Sequence, residues 1–142
     1  MNNIDFANLQ KMVDEKFISV QKHPTEPLFI YNYTQRCQFD RVWNNETLAC
    51  RGLILNDKNE IVARPFPKFF NLQEVIDQGG QIPAEDFIVT EKMDGSLGIL
   101  YWVEDKPYLA TRGSFVSDQA IMGNWILHNK YSHMRFLKWK SE

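Results

Sequence analysis

Phe6, Leu9, Met12, Val13 and Phe17 recur at spacings of three and four, which predicts an amphipathic helix from residue 5 to about residue 16. Pro24 and Pro27 then break the chain. From Leu28 the pattern turns to short runs rich in β-branched and aromatic residues, LFIYNYT, LACRGLILN and EIVARPF, each read as a strand. Asn56-Asp57-Lys58-Asn59 predicts a hairpin loop between the last two. Pro65 and Pro67 cannot donate to a ladder, so PFPKFFN is read as a shaped loop or edge segment. A short helix over residues 73–78 stops at Gly79-Gly80. Three further strands are predicted, FIVTEK, LGILYWV and YLATRG, joined by turns at residues 93–96 and 104–107. Ser117 caps a helix to about residue 129, with Ile121, Trp125 and His128 on one side. The tail HMRFLKWKSE is basic and begins as helix.

This order predicts an α+β fold, an antiparallel-rich sheet flanked by helices at both ends. The 142 residues suit one domain with one core, spanning 1–142. Hydrophobic content of 44% marks a folded chain, and no run approaches the roughly 18 apolar residues of a membrane span. The N-terminus lacks the apolar core of a secretory signal, and Cys37 and Cys50 lack metal-type spacing. Both are read as reduced thiols of a cytoplasmic protein with no membrane association.

A net charge of −2 excludes a uniformly cationic surface, but the average conceals a split. Residues 1–91 hold nine Lys/Arg against thirteen Asp/Glu, while 92–142 hold seven against five, so any polyanion contact is local.

The chemistry-bearing positions begin with TEKMDGSL, residues 90–97. A lysine amine attacks only when neutral, which requires burial or neighbouring cations to lower its pKa. An Asp-Gly turn after Lys92 would aim the side chain and turn backbone N–H groups toward a phosphate. By itself, the motif fits a hairpin tip with an exposed lysine better than a nucleophile. Arg51-Gly52 suits a phosphate or ribose contact, or a plain surface arginine on a strand. Lys68-Phe69-Phe70-Asn71 pairs a cation with aromatics that would hold a phosphate and stack a base, or simply form core. Thr111-Arg112-Gly113-Ser114 lies where a two-hairpin meander would bring a second cation near Lys92. His23, His128 and His133 bear no relation to either cysteine, and no paired-Cys or His metal pattern exists; no metal-ligating residue is assigned.

Taken together, these elements resemble the adenylyltransferase domain of ATP-dependent RNA ligases, in the branch of the tRNA-repairing RNA ligase of T-even bacteriophages. The resemblance rests on YNY at 31–33, CRGLIL at 50–55, RPFPKFFNLQE at 64–74, EKMDGSL at 91–97 and RGSFVSDQAIMGNWIL at 112–127. It implies a ligase-type, ATP-grasp-like nucleotidyltransferase fold. It also implies that Lys92 attacks the α-phosphorus of ATP, expels pyrophosphate and becomes lysyl-AMP. Arg51 and Lys68 match cations on the nucleotide's phosphates. Tyr31, Phe70, Glu91, Asp94 and Gly95 match the surrounding pocket, and Arg112 stands where the phage enzyme has lysine. Magnesium accompanies ATP, and the AMP passes to an RNA 5′-phosphate before a 3′-hydroxyl displaces it in RNA repair. The RNA ends, tRNA among them, are the implied partners.

Family members continue with further strands bearing a ribose-holding carboxylate, a metal-binding glutamate and a closing Lys-x-Lys pair. The resemblance therefore implies the N-terminal part of such a domain, truncated at the C-terminus. Lys138-Trp139-Lys140 copies the last motif only in letters and is given no role. A nucleotide or RNA-end binding module without full turnover is the alternative, its missing motifs supplied by a partner chain. An open sheet edge would then be covered by self-association or by that partner.

Overall fold

The computed structural model describes residues 4–82 and 84–132, so the tail from residue 133, with His133 and the Lys138-Trp139-Lys140 tripeptide, lies outside the described residues. Asp5 opens α1 (Phe6–Asp14) by accepting from the Ala7 and Asn8 amides, and the helix buries Leu9 and Met12. β1 (Ile18–Lys22), β2 (Leu28–Tyr33), β3 (Arg51–Asn56) and β4 (Ile61–Ala63) form an antiparallel sheet in that order. Two short helices, α2 (Gln35–Phe39) and α3 (Asn45–Ala49), fill the connection from β2 to β3. After α4 (Leu72–Asp77), β5 (Ile99–Val103) and β6 (Lys106–Ala110) form a second antiparallel pair, and α5 (Asp118–Lys130) packs on β6. The architecture is α+β with antiparallel sheets and flanking helices.

Strand alternation divides the core. Leu53 and Leu55 of β3 face α1, joining Leu9, Met12, Ile18 and Cys50. Ile54 points the other way, with Leu28 and Ile30, against Ile99, Tyr101 and Ala110 of the second sheet and Phe115. The first sheet is thus sandwiched between a helix and a two-stranded sheet.

Two expectations change. LACRGLILN is not one strand: the Asn44 side chain accepts from the Thr47 amide at 2.9 Å, and the Thr47 hydroxyl accepts from the Asn44 amide at 2.8 Å. That reciprocal cap turns residues 45–49 into α3 and delays the strand to Arg51. FIVTEK is not a strand either. Phe87, Ile88 and Val89 are more than four-fifths exposed, and no strand among the described residues lies beside them to pair. The segment 93–96 is consequently a loop rather than a hairpin tip, although the 104–107 hairpin forms as expected. Along α5, the residues that the sequence groups on one side divide between packing and solvent. Ala120 and Leu127 are buried while Ile121 and Trp125 remain exposed. Asn124 explains the orientation, because its amide donates to the Leu109 carbonyl and accepts from the Leu109 amide, both at 2.8 Å, on the outer edge of β6. His128 serves packing: its Nε2 lies 2.7 Å from the Pro107 carbonyl and its ring meets Tyr108 edge-on.

One irregularity in the first sheet matters for the site. Tyr31 pairs with Leu53 and Asn32 pairs with Arg51, so Gly52 is an extra residue without an opposite number. Strict alternation would put Arg51 on the α1 face with Leu53 and Leu55. The bulge shifts it by one position to the face of Asn32 and the second sheet. Gly52 has φ +95°, and a Cβ there would come within 2.1 Å of Ile99 Cδ1 and 3.2 Å of the Arg112 carbonyl oxygen. Its close backbone approach is therefore to the second sheet.

Candidate functional site

Between the two sheets opens a cavity of about 490 Å³ lined by Asn32, Arg51, Gly95, Ser96, Thr111 and Arg112, among others. The bulge delivers Asn32 and Arg51 to it. Arg112 arrives on a tight turn closed by Thr111 N–H to Ser114 O at 2.9 Å and Ser114 N–H to Thr111 O at 3.3 Å. The Thr111 hydroxyl lies 2.8 Å from that of Ser117, which caps α5, so the turn is braced by a helix start. Arg112 Nη1 donates to the Tyr33 hydroxyl at 3.0 Å, and its guanidinium stands 5.0 Å from the centroid of the same ring. Arg51 rests 5.2 Å from the Phe69 centroid. Neither guanidinium has a carboxylate partner among the described residues. Two uncompensated cations in one concavity make an anion site. Asn32 adds a buried Oδ1 with no hydrogen-bond partner among the described residues.

A second cavity, about 190 Å³, is lined by Arg41, Trp43, Lys68, Phe70 and the α4 carboxylates Glu74 and Asp77, among others. Lys68 Nζ donates to the Phe69 carbonyl at 2.6 Å and lies 4.2 Å from the Phe70 centroid and 5.8 Å from that of Trp43. Its backbone N–H bonds the Leu48 carbonyl at 2.8 Å, which ties the PFPKFFN loop to the end of α3. Tyr33 meets Trp43 edge-on at 5.3 Å, and Trp43 meets Phe70 edge-on at 5.4 Å. This aromatic wall runs from Arg112 to Lys68.

The positions singled out from the sequence thus fall into three groups, with Tyr31 apart from all of them. Arg51, Gly95 and Arg112 converge on the first cavity, Lys68 and Phe70 on the second. Lys92, Glu91 and Asp94 lie on the exposed loop, where Lys92 Nζ donates to Asp94 Oδ1 at 3.5 Å and both side chains are in solvent. Gly95 is three residue steps along from Lys92, a span of at most about 11 Å even when extended. Gly95 has φ +136°, a conformation that favours glycine at this bend. Tyr31 packs on the α1 side of the sheet, half-buried beside Cys50, with its phenol pushed up by burial and by that thiol. Three site residues were not anticipated. Asn32 and Tyr33 were in view only as part of YNY, and Trp43 carried no motif. The parity shift at Gly52 is the signal that points to Asn32, but it is written in the pairing rather than in the sequence.

Among the described residues no group of three or more His, Cys, Asp or Glu could hold a metal ion, and no helix is long and apolar enough to cross a membrane.

The first cavity thus gathers the Arg51-Gly52 strand start, Gly95 and Ser96 of the loop after Lys92, and the turn that carries Arg112. Comparison with known proteins gives the family. The RNA ligase family matches residues 49–138, a span that includes Arg51, Lys68, Phe70, Lys92 and Arg112. A candidate bifunctional polynucleotide kinase/RNA ligase of Autographa californica nuclear polyhedrosis virus is 31% identical over 128 residues, covering 83% of this chain and 18% of that protein. A candidate RNA ligase of Thermovibrio ammonificans is 30% identical over 121 residues, covering 84% of this chain and 31% of that protein. The chain belongs to the RNA ligase family. It spans less than a third of the length of these relatives.

Proposed function

We propose that this chain is the N-terminal portion of a ligase-type, ATP-grasp-like nucleotidyltransferase domain that forms lysyl-AMP at Lys92 for sealing RNA ends. The observation that carries the proposal is the meeting of Arg51 and Arg112, unpaired, in one cavity whose rim includes Gly95 and Ser96 of the Lys92 loop. ATP fits that cavity by charge, with two guanidinium groups facing its phosphates. In the proposed step Lys92 Nζ, having lost its proton to solvent, forms a bond to the α-phosphorus. The bond from that phosphorus to the bridging oxygen breaks, and pyrophosphate leaves with the electron pair. Arg51 and Arg112 offset the charge gathering on the leaving group. Lys68 would contribute by leaving the Phe70 face, and Glu91 and Asp94 flank Lys92 on its loop, while Tyr31 and Phe70 would have to act from outside this cavity. No acidic cluster offers magnesium an all-protein cage among the described residues, so the ion would ride on the nucleotide's phosphates and neutralise them. AMP then moves to an RNA 5′-phosphate and is displaced by a 3′-hydroxyl, which would join RNA ends as the RNA ligase names of the two relatives say of them.

Incubation with ATP labelled at the α-phosphate, in magnesium, tests this. Label is expected on the wild-type chain and absent from Lys92→Ala, and Arg51→Ala or Arg112→Ala should slow labelling by roughly a hundredfold, the worth of one such transition-state contact. Label that survives in Lys92→Ala would overturn the lysyl-AMP assignment. Saturable ATP binding with no label at all would instead make the chain a binding module. The exposed Lys92 amine, in solvent rather than in a desolvated pocket, is what favours that second reading.

A further inference from the structure

Of the aspartates in the chain, Asp94 alone is followed by glycine. The others precede residues that carry a side chain, among them Glu15, Arg41, Gln78 and Phe87. Asp94 is fully exposed, and its Oδ1 lies 3.5 Å from the Lys92 amine. The next residue is equally unrestrained. Gly95 holds φ +136°, its N–H makes no hydrogen bond among the described residues, and a Cβ built there would meet no atom within 4 Å. Residues 84–96 have no helix or strand to hold this peptide unit in place. Other aspartates sit in firmer settings. Asp5 accepts from the Ala7 and Asn8 amides, Asp40 pairs with Arg36 at 3.3 Å, and Asp77 accepts from the Gln73 side chain at 2.8 Å within α4.

We propose that Asp94-Gly95 is a site of spontaneous aspartate isomerisation, a covalent change that lengthens the backbone of the Lys92 loop. The Gly95 nitrogen forms a bond to Cγ of Asp94, and the carboxyl hydroxyl leaves with the amide proton as water. The product is a five-membered succinimide, and holding both groups on one residue step replaces a bimolecular encounter. Water then adds to a ring carbonyl and one bond to nitrogen breaks. Opening at the former backbone carbonyl leaves Gly95 joined through Cγ, with the freed α-carboxylate as the side chain. One water leaves and one returns, so composition and net charge are unchanged, and solvent water is the one co-reactant. The main chain now runs through an added carbon, about 1.5 Å of extra backbone. The site itself requires neither ATP nor a reactive Lys92. Its consequence rests on the adenylation reading: Gly95 and Ser96 line the cavity of Arg51 and Arg112, so the inserted carbon shifts Lys92 relative to both arginines.

Prolonged incubation of the chain in heavy-oxygen water, followed by proteolysis and chromatographic mass spectrometry, is the test. The peptide containing residue 94 should split into two peaks of the same composition, the new one carrying a heavy oxygen. Its rate of appearance should match that of the free peptide TEKMDGSL, residues 90–97, because the loop gives the site no protection. Asp94→Glu should abolish the new peak, since glutamate would have to close a six-membered ring. A folded chain that stays unmodified while the free peptide isomerises would overturn the assignment. So would heavy oxygen entering Asp77 or Asp86 equally fast. Labelling of the aged chain by ATP is read separately. Loss of Lys92 label in step with the isomer is expected, and label persisting in the isomerised fraction would overturn the coupling to adenylation. A fresh chain that never takes label fails the adenylation reading and leaves the isomer readout standing.

Discussion

His23 lies between two rings of the core, its imidazole 4.8 Å from Phe115 and 6.0 Å from Tyr101, centroid to centroid. Its Nδ1 accepts from the Thr25 and Glu26 amides at 3.2 and 3.0 Å, which puts the proton of the neutral ring on Nε2, facing the Tyr101 hydroxyl at 3.1 Å. Burial lowers its pKa below the ordinary 6.5, and Glu26 opposes the shift. With the folded pKa depressed, the unfolded chain takes up its proton first as the pH falls below about 6.5. Stability should therefore decline from that point downward until the folded His23 is also protonated. Urea midpoints at pH 7.5 and 5.5 measure this, and His23→Gln should shrink the difference; an unchanged difference would refute it. At the other extreme, burial pushes the Cys50 thiol and the Tyr101 phenol up to about 12, so the unfolded chain ionises first above about pH 9 and stability falls again. None of this was legible in the sequence, where His23 is one histidine among polar neighbours; its role comes from contacts 78 and 92 residues away.

At the scale of elements, the patterns that the sequence carries locally are the ones that survived. The period of α1, the Asn56 loop, the helix stopped at Gly79 and the Ser117 cap all depend on residues within one turn of each other. Where a competing local signal existed, as with the Asn44–Thr47 cap, it won over β preference. Where the outcome depended on a neighbour, as with FIVTEK, pattern alone misled. The Gly52 bulge is the sharpest case, because a single glycine reverses the face on which Arg51 emerges. Gly52→Ala should be costly on two counts, a positive φ and overlap with Ile99, and we expect a loss of at least about 2 kcal/mol. Arg51 would then be displaced from Arg112 even in the molecules that fold. Chemical denaturation gives the first quantity and ATP binding the second. A stable Gly52→Ala chain with wild-type ATP affinity would show that the bulge is not what sets the site.

Across the whole molecule the contrast is between a packed frame and an uncovered loop. Leu53, Ile54 and Leu55 are fully buried at the centre of the first sheet, flanked by α1 and by β5 and β6. Residues 84–96 carry the proposed nucleophile but have no helix or strand, and Phe87, Ile88 and Val89 face solvent. Native-state hydrogen exchange should divide the chain accordingly. The amides of 53–55 should open only with global unfolding, while those of the 84–96 loop should exchange close to the free-chain rate. Charge explains why a ligand would change this: Arg51 and Arg112 are held in place by the frame, whereas Lys92 stands in solvent on a loop that the phosphates would draw toward them. Magnesium and ATP should therefore slow exchange selectively at residues 92–96 and leave the amides of 53–55 as they were. Protection spread evenly over the chain would reflect general stabilisation by mass action instead. If saturating ATP leaves the loop unprotected, the nucleotide binds to the arginines without engaging Lys92, and the site works as a receptor for phosphates.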